Sequence, residues 1–123
     1  MTRVLVADDS ETVLLMLERR LEMSGYDVIT ARDGEQVLEI LEKHIAGDVP
    51  DLILLDAMMP KLSGVDALKQ LRAAGHRMPV LMISAHFDAL QPERMEEIGA
   101  DGVVPKPFEW EVLIARIEEL AGH

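Results

Sequence analysis

A chain of 123 residues with 49% hydrophobic and 28% charged side chains has the size and composition of one folded domain, which argues against wholesale disorder and a second core. The absence of cysteine excludes disulfides, thiolate catalysis and thiolate-bound metals. A formal net charge of −11 argues against nucleic-acid binding, which rests on Lys and Arg neutralising phosphates, and favours a basic partner or a divalent cation.

The first apolar run, "RVLVA" from Arg3, is continuous and leads into two adjacent carboxylates, Asp8 and Asp9. Ser10 is a suitable N-cap, and Leu14, Leu17 and Leu21 follow at i, i+3 and i+7, the spacing of one apolar helix stripe that Gly25 would stop. The second run, "DVITA" from Asp27, precedes Asp33, a second candidate cap, and a stripe of Val37, Leu41 and Ile45. "HIAGDVP" reads as a loop with Gly47 and Pro50 as breakers. The third run, "DLILLD" from Asp51, ends on Asp56, and the fourth, "PVLMISA" from Pro79, carries Ser84. A short helical segment with few apolar positions spans roughly Pro92 to Ile98. The fifth run, "GVVPK" from Gly102, ends on Lys106; Pro105 lacks an amide donor and is expected to end its pairing. Leu113, Ile117 and Leu120 form the final stripe.

No repeat, low-complexity tract or linker interrupts this order, so residues 1–123 read as a single domain. No apolar run approaches the ~20 residues that span a bilayer, and "MTRVLVADDS" lacks the apolar core of a signal peptide. A cytoplasmic protein without membrane contact is expected. Residues 88 to 123 hold nine acidic and three basic side chains, so the C-terminal third carries a disproportionate share of the negative charge.

Apolar runs that are continuous rather than alternating fit strands buried on both faces, and five of them alternating with helices imply a parallel α/β sheet with right-handed crossovers. Such a sheet carries its site at the carboxyl ends of its strands. Those ends supply Asp8 and Asp9, Asp56, Ser84 and Lys106, while the second run ends in unreactive Ala31. Three clustered carboxylates need a hard cation between them; Mg²⁺ binds such groups while keeping positions for phosphate oxygens. A carboxylate can attack phosphorus to give an acyl phosphate, Lys106 can meet the incoming phosphate charge, and Ser84 can donate to a phosphate oxygen. Taken singly, each residue has a plainer reading as a helix cap, loop acid, turn hydroxyl or solvated charge. Their joint placement at four strand ends favours one site.

The stretches "VLVADDS", "DLILLDAMMPKLSG", "VLMISA" and "GADGVVPKPF" resemble the receiver domain of two-component response regulators over essentially the whole chain. The resemblance implies a flavodoxin-like, doubly wound five-stranded parallel sheet in the order 2-1-3-4-5, with five helices on two faces. It implies Asp56 as phospho-acceptor from a histidine kinase or histidine phosphotransfer protein. Asp8, Asp9, Asp56 and the backbone carbonyl of Met58 would hold Mg²⁺. Lys106 would contact Asp56 and then the phosphoryl oxygen, Ser84 would move to bond the phosphoryl group, and the Lys106–Pro107 peptide would be cis. Such a domain is a signalling module that assists its own phosphorylation and dephosphorylation. It would signal to a downstream protein through its fourth helix, fifth strand and fifth helix, where the acidic excess lies, as a monomer or a phosphorylation-dependent dimer, without binding nucleic acid.

One departure from the family pattern and two further positions stand out. Val103 occupies the position of the usual aromatic switch residue, so the output face either rearranges by backbone movement or borrows Trp110, whose plainer role is packing. Met58 and His86 flank the path of a hydrolytic water; Met58 cannot orient water, which predicts slow to moderate autodephosphorylation. His44, His76 and His123 are expected to be exposed, and the methionines, Met16 and Met82 among them, mostly to fill the core or supply flexible packing. Rival readings fit less well. An aspartyl phosphohydrolase would need a D-x-D pair and a cap domain. A flavodoxin-type electron carrier would need a hydroxyl- and glycine-rich phosphate loop where two acids stand.

Overall fold

The computed structural model describes residues 2–43, 49–85 and 91–121. In chain order they form β1 (Arg3–Ala7), α1 (Glu11–Met23), β2 (Asp27–Ala31), α2 (Gly34–Lys43), β3 (Leu52–Asp56), α3 (Gly64–Ala73), β4 (Val80–Ser84), α4 (Pro92–Glu97), β5 (Gly102–Pro105) and α5 (Trp110–Leu120). The five strands are parallel in the order β2-β1-β3-β4-β5. This is the flavodoxin-like sheet expected from the sequence.

The continuous apolar runs become central strands because side chains alternate between two buried faces. Leu5, Ile53, Leu55, Val80 and Met82 pack with Val37 and Leu41 of α2, Leu68 and Leu71 of α3 and Met95 of α4. Val4, Val6, Leu52, Leu54, Leu81 and Ile83 pack with Leu14, Leu17 and Leu21 of α1 and Leu113 and Ile117 of α5. Burying a Leu-sized side chain contributes roughly 1.5–3 kcal/mol, so these two clusters account for the layered fold.

The local signals act as read. Ser10 Oγ accepts from the Val13 amide at 3.3 Å, and Asp33 Oδ1 accepts from the Gln36 amide at 2.9 Å. Gln36 Oε1 in turn accepts from the Arg32 amide at 2.8 Å, bridging back across the start of the helix in the manner of a capping box. Gly25, at φ +94°, turns the chain out of α1. Ile45, His44, His86 and His123 lie outside the described residues. β5 ends at Pro105, yet pairing persists one residue further, because the Lys106 amide donates to the Ser84 carbonyl at 2.7 Å.

Some side chains depart from expectation. Met82 is fully buried, but Met16 is 40% exposed because it lies off the Leu14–Leu17–Leu21 stripe. His76 is half-buried rather than exposed. Trp110 packs on the α1 and α5 face with Arg20 over its ring at 5.4 Å, whereas Val103 packs on the opposite face. Trp110 therefore packs on the face of the sheet opposite Val103.

Candidate functional site

Strand ends place the reactive side chains. Asp8 and Asp9 follow β1, Asp56 closes β3, Ser84 closes β4 and Lys106 follows β5. Because β1, β3, β4 and β5 are consecutive neighbours in register, these ends share one edge of the sheet. Each of Asp8, Asp9 and Asp56 offers a carboxylate oxygen within 4.8 Å of the others. Asp8 is fully buried, Asp56 is 5% exposed, and Asp9 lies open to solvent.

Lys106 holds the two buried acids together. Its Nζ donates to Asp8 Oδ2 at 2.6 Å and to Asp56 Oδ2 at 3.2 Å. The contact to Asp56 that the resemblance implies is present, and the shorter contact is to Asp8. The second oxygens are also committed: Asp8 Oδ1 accepts from the Ser10 amide at 2.9 Å and Asp56 Oδ1 from the Met58 amide at 3.1 Å. Ser84 is buried at the end of the neighbouring strand β4, in register with Pro105.

The electrostatics reflect crowding. Burial raises the Asp56 carboxyl above its ordinary range; the Met58 amide opposes this, Asp8 adds to the rise, and Lys106 lowers it without cancelling it. For Lys106, burial disfavours the charge, but the hydrogen bond to Asp8 and the charges of Asp56 and Asp8 outweigh it, so its pKa is raised. One ammonium therefore leaves three carboxylates under-compensated. A hard divalent cation with oxygen ligands and a tolerance for bound water fits this donor set.

Two glycines that sequence reasoning passed over govern the loop after Asp56. Gly64 opens α3, its amide bonded to the Ala57 carbonyl at 3.0 Å, and a Cβ there would meet the Asp56 carbonyl oxygen at 1.9 Å. Gly34 opens α2, its amide bonded to the Leu62 carbonyl at 2.9 Å, and a Cβ there would meet that oxygen at 2.4 Å. Neither has a period in the sequence; both serve close backbone approach.

The response regulator receiver domain family model matches residues 4–118. The chain belongs to that family. The receiver domain is 43% identical over 120 residues to the transcriptional regulatory protein CpxR of Escherichia coli, an alignment covering 98% of this chain and 49% of CpxR. The chain thus spans about half the length of the curated relatives it matches. Among solved structures, the Francisella response regulator 1452 receiver domain superposes with a TM-score of 0.90 at 31% identity, covering 99% of this receiver and 98% of that chain. The Thermotoga maritima regulator TrrA, solved in complex with Mg²⁺ and BeF, superposes with a TM-score of 0.85 at 27% identity, covering 98% of this receiver and 99% of TrrA. The receiver is a two-component signalling domain, and none of its described helices is long and apolar enough to cross a membrane.

Proposed function

We propose that Asp56 is the phosphoacceptor of this receiver and that Asp8, Asp9, Asp56 and the Met58 carbonyl hold Mg²⁺. The observation that carries this reading is the convergence of three carboxylates within 4.8 Å of one another at the end of the sheet, two of them bonded to one ammonium. Mg²⁺ supplies charge neutralisation and an ordering point for phosphoryl oxygens.

An Asp56 carboxylate oxygen attacks the phosphorus of a phosphohistidine; the P–O bond forms as the P–N bond breaks, and the imidazole leaves with the electron pair. The Met58 amide fixes one Asp56 oxygen so that the other faces the donor. Lys106 then exchanges its longer contact to Asp56 for the phosphoryl oxygen while Asp8 keeps the ammonium in place. Ser84 donates its hydroxyl to the phosphoryl group and so couples chemistry to β4. Beside Lys106, an apolar groove lined by Val13, Met16, Ala85, Pro107 and Phe108 offers the donor protein a surface next to the acceptor. The Met58 side chain, 52% exposed, has no group to activate water, which supports slow to moderate hydrolysis of the acyl phosphate. The acidic surface of α4, β5 and α5 suits a basic downstream partner, and the domain acts in the cytoplasm.

Incubation with acetyl phosphate and Mg²⁺ tests the reading by intact mass. Wild type gains one phosphoryl group, and Asp56→Asn or chelated protein gains none. A wild-type protein that stays unmodified, or an Asp56→Asn protein modified to the same extent, overturns it.

A further inference from the structure

The loop from Ala57 to Ser63 connects the acceptor strand to α3, and its far end is held by a different helix. At the start of α2 the first amides have no intrahelical acceptor. The Gly34 amide meets this need by donating to the Leu62 carbonyl at 2.9 Å, so the β3–α3 loop itself caps α2. Buried Asp33 adds a second tie: its Oδ1 caps the Gln36 amide while its Oδ2 lies 3.9 Å from Lys61 Nζ. Lys61 sits at φ +66°, a conformation that a non-glycine side chain adopts at a cost, so this part of the loop is held rather than relaxed.

From that anchor the loop returns through the Leu62 amide, bonded to the Pro60 carbonyl at 2.8 Å, to Met58, whose amide fixes Asp56 Oδ1 at 3.1 Å. The approach at Gly34 is closed to any side chain. A Cβ would lie 2.4 Å from the Leu62 oxygen and 3.0 Å from its carbonyl carbon, both backbone atoms that move only with the loop.

We infer that Gly34 is a positioning residue for the phosphoacceptor site: through Leu62 it sets the β3–α3 loop, and through Met58 the loop sets the Asp56 carboxylate and the carbonyl offered to the cation. The inference rests on the proposed role of Asp56. It places the start of α2 among the determinants of metal affinity, although α2 contributes no side chain to the cation.

Gly34→Ala tests this against Gly25→Ala, a control at φ +94° where a Cβ meets nothing within 4 Å. Both variants lose stability. Only Gly34→Ala is expected to bind Mg²⁺ about tenfold more weakly by calorimetry and to shift the Met58 amide resonance in metal-free protein. Mg²⁺ affinity equal to wild type with an unmoved Met58 resonance overturns the inference. The Met58 resonance needs no metal. If wild type itself binds no Mg²⁺, the phosphoacceptor reading fails while that resonance still decides the role of Gly34. If Gly34→Ala does not fold, replacing the Gly34 amide by an ester, which removes the donor to the Leu62 carbonyl without adding a Cβ, decides: it is expected to weaken Mg²⁺ binding about tenfold and to shift the Met58 resonance, and no change in either overturns the inference.

Discussion

At the scale of single residues, the site is a charge imbalance held in place. Lys106 sits between Asp8 and Asp56 with its shorter bond to Asp8, so removing the charge of Asp56 does not leave the ammonium unpaired. The pKa of Asp56 is raised, first by burial. Between its unfolded value and the raised folded value the native state binds the extra proton, so stability falls as pH rises through that window, and the full cost is present above the raised folded value. Asp56→Asn is therefore expected to stabilise the metal-free domain at pH 7 by about 1 kcal/mol, a rise of roughly 3–5 °C in Tm. The gain should vanish below about pH 4, where the carboxyl is protonated in both states. Thermal unfolding of both proteins across this range checks the sign; an Asp56→Asn protein less stable than wild type at pH 7 contradicts the assignment of strain to Asp56.

At the scale of elements, the sheet has a reactive end and a structural end, and an α3 side chain secures the β4–β5 side of the second. Arg72 donates to the Gly99 carbonyl at 3.1 and 2.8 Å, to the His76 and Met78 carbonyls at 2.9 and 2.8 Å, and to Asp101 at 3.1 Å. Asp101 also accepts from the Val80 amide at 2.9 Å, so one guanidinium ties α3, the start of β4 and the turn before β5. Arg72→Met keeps much of the aliphatic stem but orphans several carbonyls, and is expected to cost about 2–4 kcal/mol in urea unfolding. Acetyl phosphate labelling of the folded fraction should be unaffected, because the clamp lies at the opposite end of the strands; a loss of labelling instead would join the two ends functionally.

The same contrast explains what the amino-acid order reveals. β1, β3 and β4 were legible because continuous Val, Ile and Leu runs have only one economical use in a domain of this size, and Asp8, Asp56, Ser84 and Lys106 were legible as strand-end residues. Ser10 and Asp33 announced their caps by residue type. Gly34 and Gly64 did not announce their contacts, since a carbonyl approaching an α-carbon leaves no periodic trace. Nothing in the sequence separates Arg72 from other helix-surface cations, and the preference of Lys106 for Asp8 depends on packing distances that no spacing encodes.

At the scale of the whole molecule, the fold brings together on one sheet edge residues separated by up to 98 positions, Asp8 and Lys106, and leaves the negative charge concentrated toward α4 and α5. A net charge of −11 opposes compaction and self-association and draws cations and basic surfaces. Neutralisation at the carboxylate cluster is thus both a local requirement and a contribution to global stability. The most direct test of the account is fluorine NMR of the protein with beryllofluoride and Mg²⁺. A bound beryllofluoride resonance that requires Mg²⁺ is expected in wild type and is expected to be absent in Asp56→Asn; no bound resonance in wild type, or one that survives in Asp56→Asn, would rule out Asp56 as the acceptor.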